Sequence, residues 1–197
     1  MKILRKTFLI DDGSFSETPE FDKIMDNIED AIRAIKNPKE SDGFFLYDKK
    51  QGSGVKPIKD AFIEKLNTLG WEDETIVQNP SIKKRKIDSS LQLSNGQYFG
   101  VEWETGNISS SHRAINRLKK GMLEGDLAGG ILVLPSRKMY YYLTDRIGNY
   151  QELEPYFDVM GDTAEIKGLL GVIEIEHDGV GQDIPAIKKG TDGRALI

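Results

Sequence analysis

The sequence predicts one α/β domain, in which a mixed central β-sheet carries helices on its faces. Residues 129–134 are apolar or glycine at every position, which is typical of a strand that is buried on both faces. Other segments repeat apolar residues every three or four positions, as one face of a helix does. A length of 197 residues suits one domain, so we expect residues 1–197 to form a single domain.

Two helices are predicted in the first half of the chain, after a short segment over residues 1–18 that ends in a turn. Pro19 and Pro57 suit the first turns of these helices, and Gly70 suits the end of the second. Their apolar stripes are Phe21, Ile24, Ile28, Ile32 and Ile35, then Ile58, Phe62, Leu66 and Leu69. Residues 43–47 are predicted to be a short strand.

The second half alternates helices and strands after a predicted hairpin. The elements are a helix capped by residues 107–111, a helix over 138–147, a short element around 156–157, a strand over 169–175 and a loop or arm over 187–197. The first of these helices would bury Ile115, Leu118 and Met122.

The composition excludes several classes of protein. The chain has no cysteine, which rules out disulfides and thiolate metal sites, and His112 and His177 are too few for a histidine-rich zinc site. No apolar run reaches about eighteen residues, so we expect a cytoplasmic protein that does not enter a membrane. A formal net charge of −5 argues mildly against a nucleic-acid binder unless a cation neutralises some of the carboxylates.

The most informative stretch is the strand-like run over residues 99–107. Because side chains alternate along a strand, Glu102 and Glu104 share one face and Trp103 lies on the other. Same-face neighbours are about 6 to 7 Å apart, so the two carboxylates repel each other unless a cation or a proton intervenes. The alternative interpretation is a solvated strand face.

A third carboxylate precedes this strand. Gly96 suits the turn of a hairpin that would bring Asp88 beside Glu102. Three such oxygen donors suit a hard divalent cation at a phosphodiester. Glu74 is a candidate fourth carboxylate, although its spacing alone also fits an exposed acidic turn. Basic residues flank the group, at 83–86 and on the helix after Glu104, but such runs are more often solvated surfaces.

Two other clusters do not predict a site. Residues 174–178, Glu-Ile-Glu-His-Asp, could bind a metal, but we interpret them as the solvated end of a strand. Residues 109–112, Ser-Ser-Ser-His, have no base at a spacing that suits a hydrolase, so we interpret the serines as helix caps.

Several blocks of the sequence closely resemble restriction endonucleases of the BamHI type, and they occur in the same order over most of the chain. The blocks are residues 54–59, 102–110, 112–113, 141–146, 152–157 and 189–193. The resemblance implies the PD-(D/E)XK nuclease fold and a type II enzyme. It also implies a homodimer that binds double-stranded DNA and cuts the palindrome GGATCC with Mg²⁺, leaving 5′-phosphate ends.

The resemblance also implies roles for individual residues. The metal ligands would be Asp88, Glu102, Glu74 and the carbonyl of Trp103. Glu104 would be the general base that accepts a proton from the attacking water. Residues whose types suit base edges would read the sequence, namely Asn107, Ser109, Arg113, Asp145 and Arg146. Lys59 would contact DNA, and Gly190 would approach the minor groove.

Without the resemblance, the residues assigned to base reading would have an ordinary structural interpretation. Arg113 would then be an ordinary exposed helix residue, and Asp145 with Arg146 a surface ion pair. The alternative function is a sequence-specific DNA-binding protein on a nuclease fold that does not cleave. The presence of all four carboxylates favours the enzyme.

Overall fold

A six-stranded mixed sheet forms the centre of the computed structural model, which describes residues 1–76, 86–144, 146–162 and 165–190. Its strands are β1 (Lys2–Asp12), β3 (Glu72–Ile76), β4 (Lys86–Gln92), β5 (Tyr98–Trp103), β6 (Leu127–Pro135) and β7 (Gly168–Glu176), while β2 (Phe45–Tyr47) and β8 (Gly179–Gly181) form a separate parallel pair. The order across the large sheet is β1-β7-β6-β5-β4-β3. The predicted α/β class with a mixed sheet is confirmed.

The three long helices begin near the local signals that predict them. They are α1 (Pro19–Ala34), α2 (Lys56–Thr68), α3 (Ile108–Leu123), α4 (Arg137–Tyr140), α5 (Tyr150–Leu153) and α6 (Phe157–Gly161). Thr18 caps α1 by accepting a hydrogen bond from the Phe21 N–H at 3.1 Å, and Asn107 caps α3 in the same way. Within the described part of the chain, no helix has both the length and the apolar character needed to cross a bilayer.

The sheet separates two apolar cores. On one face α1 and α2 pack against β5, with the ring centroids of Phe62 and Trp103 4.8 Å apart. On the other face α3 packs so closely that a Cβ added to Gly130 would lie 2.7 Å from Leu118. Glycine permits this close approach, and the N-terminus of α3 follows the end of β5 after only four residues.

The helix predicted over residues 138–147 is wrong beyond its first turn. The backbone after α4 forms a β-bridge with Ser53 instead, whose N–H donates to the Tyr142 carbonyl at 3.0 Å. Thr144 N–H in turn donates to the Ser53 carbonyl at 2.9 Å. This tertiary pairing takes up the backbone groups that a longer helix would have used.

The interpretation of residues 174–178 as a solvated strand end is also wrong. β1, predicted only as part of a short segment, pairs antiparallel with β7, so β7 is not an edge strand. Glu174, Glu176 and His177 are buried. Glu174 binds Arg5 of β1 at 2.7 Å, and Glu176 accepts a hydrogen bond from Ser136 at 2.6 Å.

Candidate active site

The β4–β5 hairpin brings the predicted carboxylates together. Its register pairs Ser89 with Val101 and Ser90 with Gly100, and one further step sets Asp88 opposite Glu102. The pairing is reinforced at this point because the Trp103 N–H donates to Asp88 Oδ2 at 2.9 Å. The predicted hairpin is thus confirmed, with Gly96 at a φ of 87° in its turn.

Asp88, Glu102 and Glu104 line one cavity of about 200 Å³ at the end of β5. Glu102 and Glu104 are each 4% exposed, so both carboxylates lie almost entirely out of water. The solvated-face interpretation of this strand is therefore wrong. Three acidic groups in one small, poorly hydrated space repel each other and require compensating positive charge.

Two basic side chains supply positive charge in this structure. Lys59 of α2 binds Asp88 Oδ1 at 2.5 Å. Arg117 of α3 donates to Glu102, and also to the carbonyl of Lys86 at 3.2 Å. Both cations line the same cavity as the carboxylates, so helices from the two faces of the sheet meet the acidic group at its edge.

The two cations do not cancel the effect of burial on Glu102. Burial and the charge of Asp88 raise the pKa of Glu102 to about 8, against the opposing effect of Arg117. Burial therefore favours the protonated form of Glu102 when no further cation is bound. A divalent ion would replace that proton.

Glu104 is held on both of its carboxylate oxygens. Oε1 accepts a hydrogen bond from the Gly106 N–H at 2.5 Å, and Oε2 accepts one from the hydroxyl of Ser111. Burial raises the pKa of Glu104 to about 6, and these hydrogen bonds oppose that rise. A carboxylate with this pKa is ionised at neutral pH and is still basic enough to take a proton.

The donor set fits a hard divalent cation. Asp88 and Glu102 offer carboxylate oxygens to the same cavity, which Trp103 also lines, and oxygen donors are what Mg²⁺ prefers. Among the residues that the structure describes, no three His, Asp or Glu side chains are already gathered as a metal cage. Lys59 and Arg117 would have to leave the carboxylates before an ion could take their place.

Glu74 lies beside this group but its carboxylate binds elsewhere. The β3–β4 register pairs Asp73 with Ser89 and Thr75 with Ile87, which puts the backbone of Glu74 opposite Asp88. Its side chain is 68% exposed and forms an ion pair with Lys86, which lowers the pKa of Glu74. Its φ of 49° is a left-handed conformation that non-glycine residues seldom adopt.

The residues predicted to read DNA that the structure describes are exposed. Asn107 Oδ1 accepts from the Ser110 N–H at 3.3 Å at the start of α3, where Ser109 and Arg113 are exposed. Arg146 is exposed as well, whereas Asp145 lies outside the described residues.

A larger cleft of about 580 Å³ adjoins the carboxylate cavity. Asp88, Lys59 and Thr105 line both spaces, and Gly190 and Glu74 line the larger one. Lys59, predicted only as a DNA contact, therefore lies inside the acidic cavity. Neither its ion pair with Asp88 nor the ion pair between Arg117 and Glu102 was predicted from the sequence.

Known proteins resemble this chain in sequence and in fold. The sequence model of the family described as restriction endonuclease BamHI matches residues 1–194. The type II restriction enzyme OkrAI of Oceanobacter kriegii is 44% identical over 196 residues, 100% of both chains. The type II restriction enzyme BamHI of Bacillus amyloliquefaciens is 35% identical over 151 residues, 73% of this chain and 68% of that enzyme.

The fold is similar to that of a crystal structure of the restriction endonuclease BglII in complex with a DNA 16-mer. The TM-score is 0.62 at 11% sequence identity, and the similarity covers 90% of this chain and 79% of the other. Free BglII is similar with a TM-score of 0.54 at 10% identity. At this identity the likeness concerns the fold alone.

The raised pKa of Glu102 makes a prediction about the metal-free protein. A carboxyl group whose pKa is higher in the folded chain than in the unfolded chain stabilises the folded chain by binding a proton. This stabilisation is complete below the ordinary pKa of 4.5 and is lost as the pH rises through about 8. Glu102→Gln mimics the protonated acid, so its free energy of unfolding should not fall in this way. In EDTA, the free energy of unfolding of Glu102→Gln should rise relative to that of the wild type by about 1 to 4 kcal/mol between about pH 5 and pH 8.5, at about 1.4 kcal/mol per pKa unit.

Urea unfolding at several pH values measures this difference in the free energy of unfolding. The exposed Glu40→Gln controls for the loss of a carboxylate on the surface. Parallel pH profiles for wild type and Glu102→Gln would show that Glu102 is ionised throughout.

Proposed function

The chain belongs to the BamHI family of type II restriction endonucleases, as its sequence blocks predicted, and from that premise we propose that it cuts both strands of DNA at the palindrome GGATCC. It is a site-specific deoxyribonuclease. The proposal extends to a homodimer that uses Mg²⁺ and leaves 5′-phosphate ends. The observation that most directly supports the proposed cleavage is that Asp88, Glu102 and Glu104 line one cavity.

Asp88 and Glu102 would hold the Mg²⁺, with the carbonyl of Trp103. Bound there, Mg²⁺ would stabilise the negative charge that develops on the phosphate and on the leaving 3′ oxygen. Glu74 would join this group by turning away from Lys86, a move that the exposed ion pair makes inexpensive. Lys59 and Arg117, once displaced from the carboxylates, would be free to pair with DNA phosphates.

Glu104 would be the general base. The oxygen of a water molecule attacks the phosphorus, its proton passes to Glu104, and the bond from phosphorus to the 3′ oxygen breaks. The 3′ oxygen takes up a proton to become a hydroxyl, and the phosphate stays on the 5′ end. A pKa of about 6 suits this role, because the base is ionised at neutral pH and remains able to accept a proton.

Base recognition would come from the surface around the mouth of the site. Asn107, Ser109 and Arg113 lie on the exposed start of α3, and Arg146 is exposed on a neighbouring segment. The side-chain types, together with Asp145, can read adenine, guanine and cytosine in the major groove. Gly190 would approach the minor groove, and a Cβ added to it would meet no atom of the described residues within 4 Å.

Exposed apolar side chains on α3 and α6 support a homodimer. Val159 is 74% exposed, and Leu123 and Tyr156 are also exposed. The two helices adjoin, since Lys119 of α3 donates to the carbonyl of Met160 in α6 at 2.8 Å. Tyr156, just before α6, also contacts His112 of α3, with ring centroids 4.8 Å apart. An apolar surface of this kind is typical of a contact between subunits. A twofold axis through it would match the symmetry of a palindrome.

Digestion of a plasmid with one GGATCC site tests the function directly. The wild type should linearise it in Mg²⁺ and leave it intact in EDTA, and ligation and sequencing of the ends should identify GGATCC and 5′ phosphates. Asp88→Asn should abolish cutting, because it removes a metal ligand, and should leave specific binding largely in place. Asp12→Asn, at a surface ion pair with Lys167, is the matched control and should cut normally.

Specific binding without cutting, in both Mg²⁺ and Mn²⁺, would instead favour a DNA-binding protein that has lost cleavage. Normal cutting by Asp88→Asn would contradict the metal-binding role.

Arg146→Ala tests base reading. Loss of a guanine contact should weaken discrimination at one G·C pair by about 1 to 3 kcal/mol, measured as relative cleavage rates on sites with single substitutions. Arg33→Ala, an exposed arginine on α1, is the control. An equal loss on all sequences would identify Arg146 as a phosphate contact instead.

Val159→Asp tests the dimer. A charge in the apolar surface should convert the wild-type dimer to monomer in sedimentation velocity, because the carboxylate would lose its hydration at the contact. The same change at Val180, which is exposed on β8, should leave the dimer intact. A wild type that is monomeric with and without DNA would refute the homodimer.

A further inference from the structure

Ser111 is the residue on α3 that contacts the Glu104 carboxylate. Its side chain is 0% exposed, and its hydroxyl donates to Glu104 Oε2. A hydroxyl that is fully removed from water is costly unless it has a partner, and here the partner is a buried carboxylate. An alanine would fill nearly the same space, so packing alone does not account for the hydroxyl.

The position of Ser111 is itself tightly determined. A Cβ added to Gly148 would lie 2.1 Å from Ser111 Oγ, so the backbone at Gly148 presses directly on the hydroxyl. The Gly148 N–H also donates to the carbonyl of Gly106 at 2.7 Å, which fastens this segment to the loop after Glu104. Ser111 therefore has little freedom to turn away from the carboxylate.

Glu104 needs such support because its side chain is long. Its backbone is fixed by the hydrogen bond from its N–H to the Val133 carbonyl at 3.1 Å, but several side-chain torsions separate that point from the carboxylate. The Gly106 N–H holds one oxygen and Ser111 the other. A carboxylate has about four acceptor positions, so two donors fix its orientation and leave room to accept a proton.

We propose that Ser111 is a positioning residue, which holds the Glu104 carboxylate in the orientation from which it accepts the proton of the attacking water. This inference rests on the proposed function, in which Glu104 is the general base. Ser111 acts through Glu104 and does not itself contact the reacting atoms. Its loss reduces the rate of the chemical step and leaves DNA affinity unchanged.

The test is cleavage of GGATCC duplex with enzyme in excess, followed as a function of enzyme concentration. Ser111→Ala lowers the maximal rate constant about 10- to 100-fold, the range found when a supporting hydrogen bond is removed from an active-site ligand. The half-saturating concentration stays within about twofold of the wild type. Thermal unfolding confirms that the variant is folded.

Ser136→Ala is the matched control, since Ser136 also donates to a buried glutamate, Glu176, at 2.6 Å. It loses the same kind of hydrogen bond elsewhere and keeps the wild-type cleavage rate. Ser111→Cys keeps the shape of the side chain with a much weaker donor, and its rate lies between those of Ser111→Ala and the wild type. If Ser111→Ala does not fold, the cleavage rate of Ser111→Cys provides the test.

A double variant separates positioning through Glu104 from a general structural effect. Because Ser111 acts through Glu104, adding Ser111→Ala to Glu104→Gln produces no further loss of rate. A wild-type rate for Ser111→Ala and Ser111→Cys, with Glu104→Gln slowed to a low but measurable rate, overturns this inference and leaves the proposed function standing. Normal cutting by Glu104→Gln, or no cutting by the wild type, overturns both.

Discussion

The repulsion among three carboxylates that share one edge of a sheet is the constraint on which this site depends. The antiparallel register of β4 and β5 sets Asp88 opposite Glu102, and strand alternation adds Glu104 on the same face. Because the carboxylates are buried, water screens their charges only weakly. A lysine from one face of the sheet and an arginine from the other reduce the repulsion, and the pKa of Glu102 is raised.

The N-terminus of α3 connects the proposed chemistry to the proposed recognition. Glycines at positions 100 and 130 let Leu118 of α3 approach the sheet closely, and α3 begins five residues after β5 ends. From there one side of the helix presents Ser111 and Arg117 to the carboxylates, while Asn107 caps it at the mouth of the site. A small shift of this helix would disturb the acidic cavity and the exposed surface together.

Local patterns in the sequence predicted the features that depend on neighbours along one strand or helix. Alternation and Gly96 were sufficient for the hairpin and its three carboxylates. The ion pairs of Lys59 and Arg117 could not be predicted, because they depend on how two helices pack against the sheet. The same limit explains two errors: Ser53 pairs with the backbone after α4, and Arg5 of β1 pairs with the buried Glu174.

The central claim is that Asp88 and Glu102 bind a divalent cation that displaces Lys59 and Arg117. A crystal structure of the protein with Mn²⁺ and duplex DNA, with an anomalous difference map, tests it most directly. The account predicts an anomalous peak between the Asp88 and Glu102 carboxylates, with both basic side chains moved away from them. A map with no peak there, and Lys59 and Arg117 still paired with the carboxylates, would contradict it.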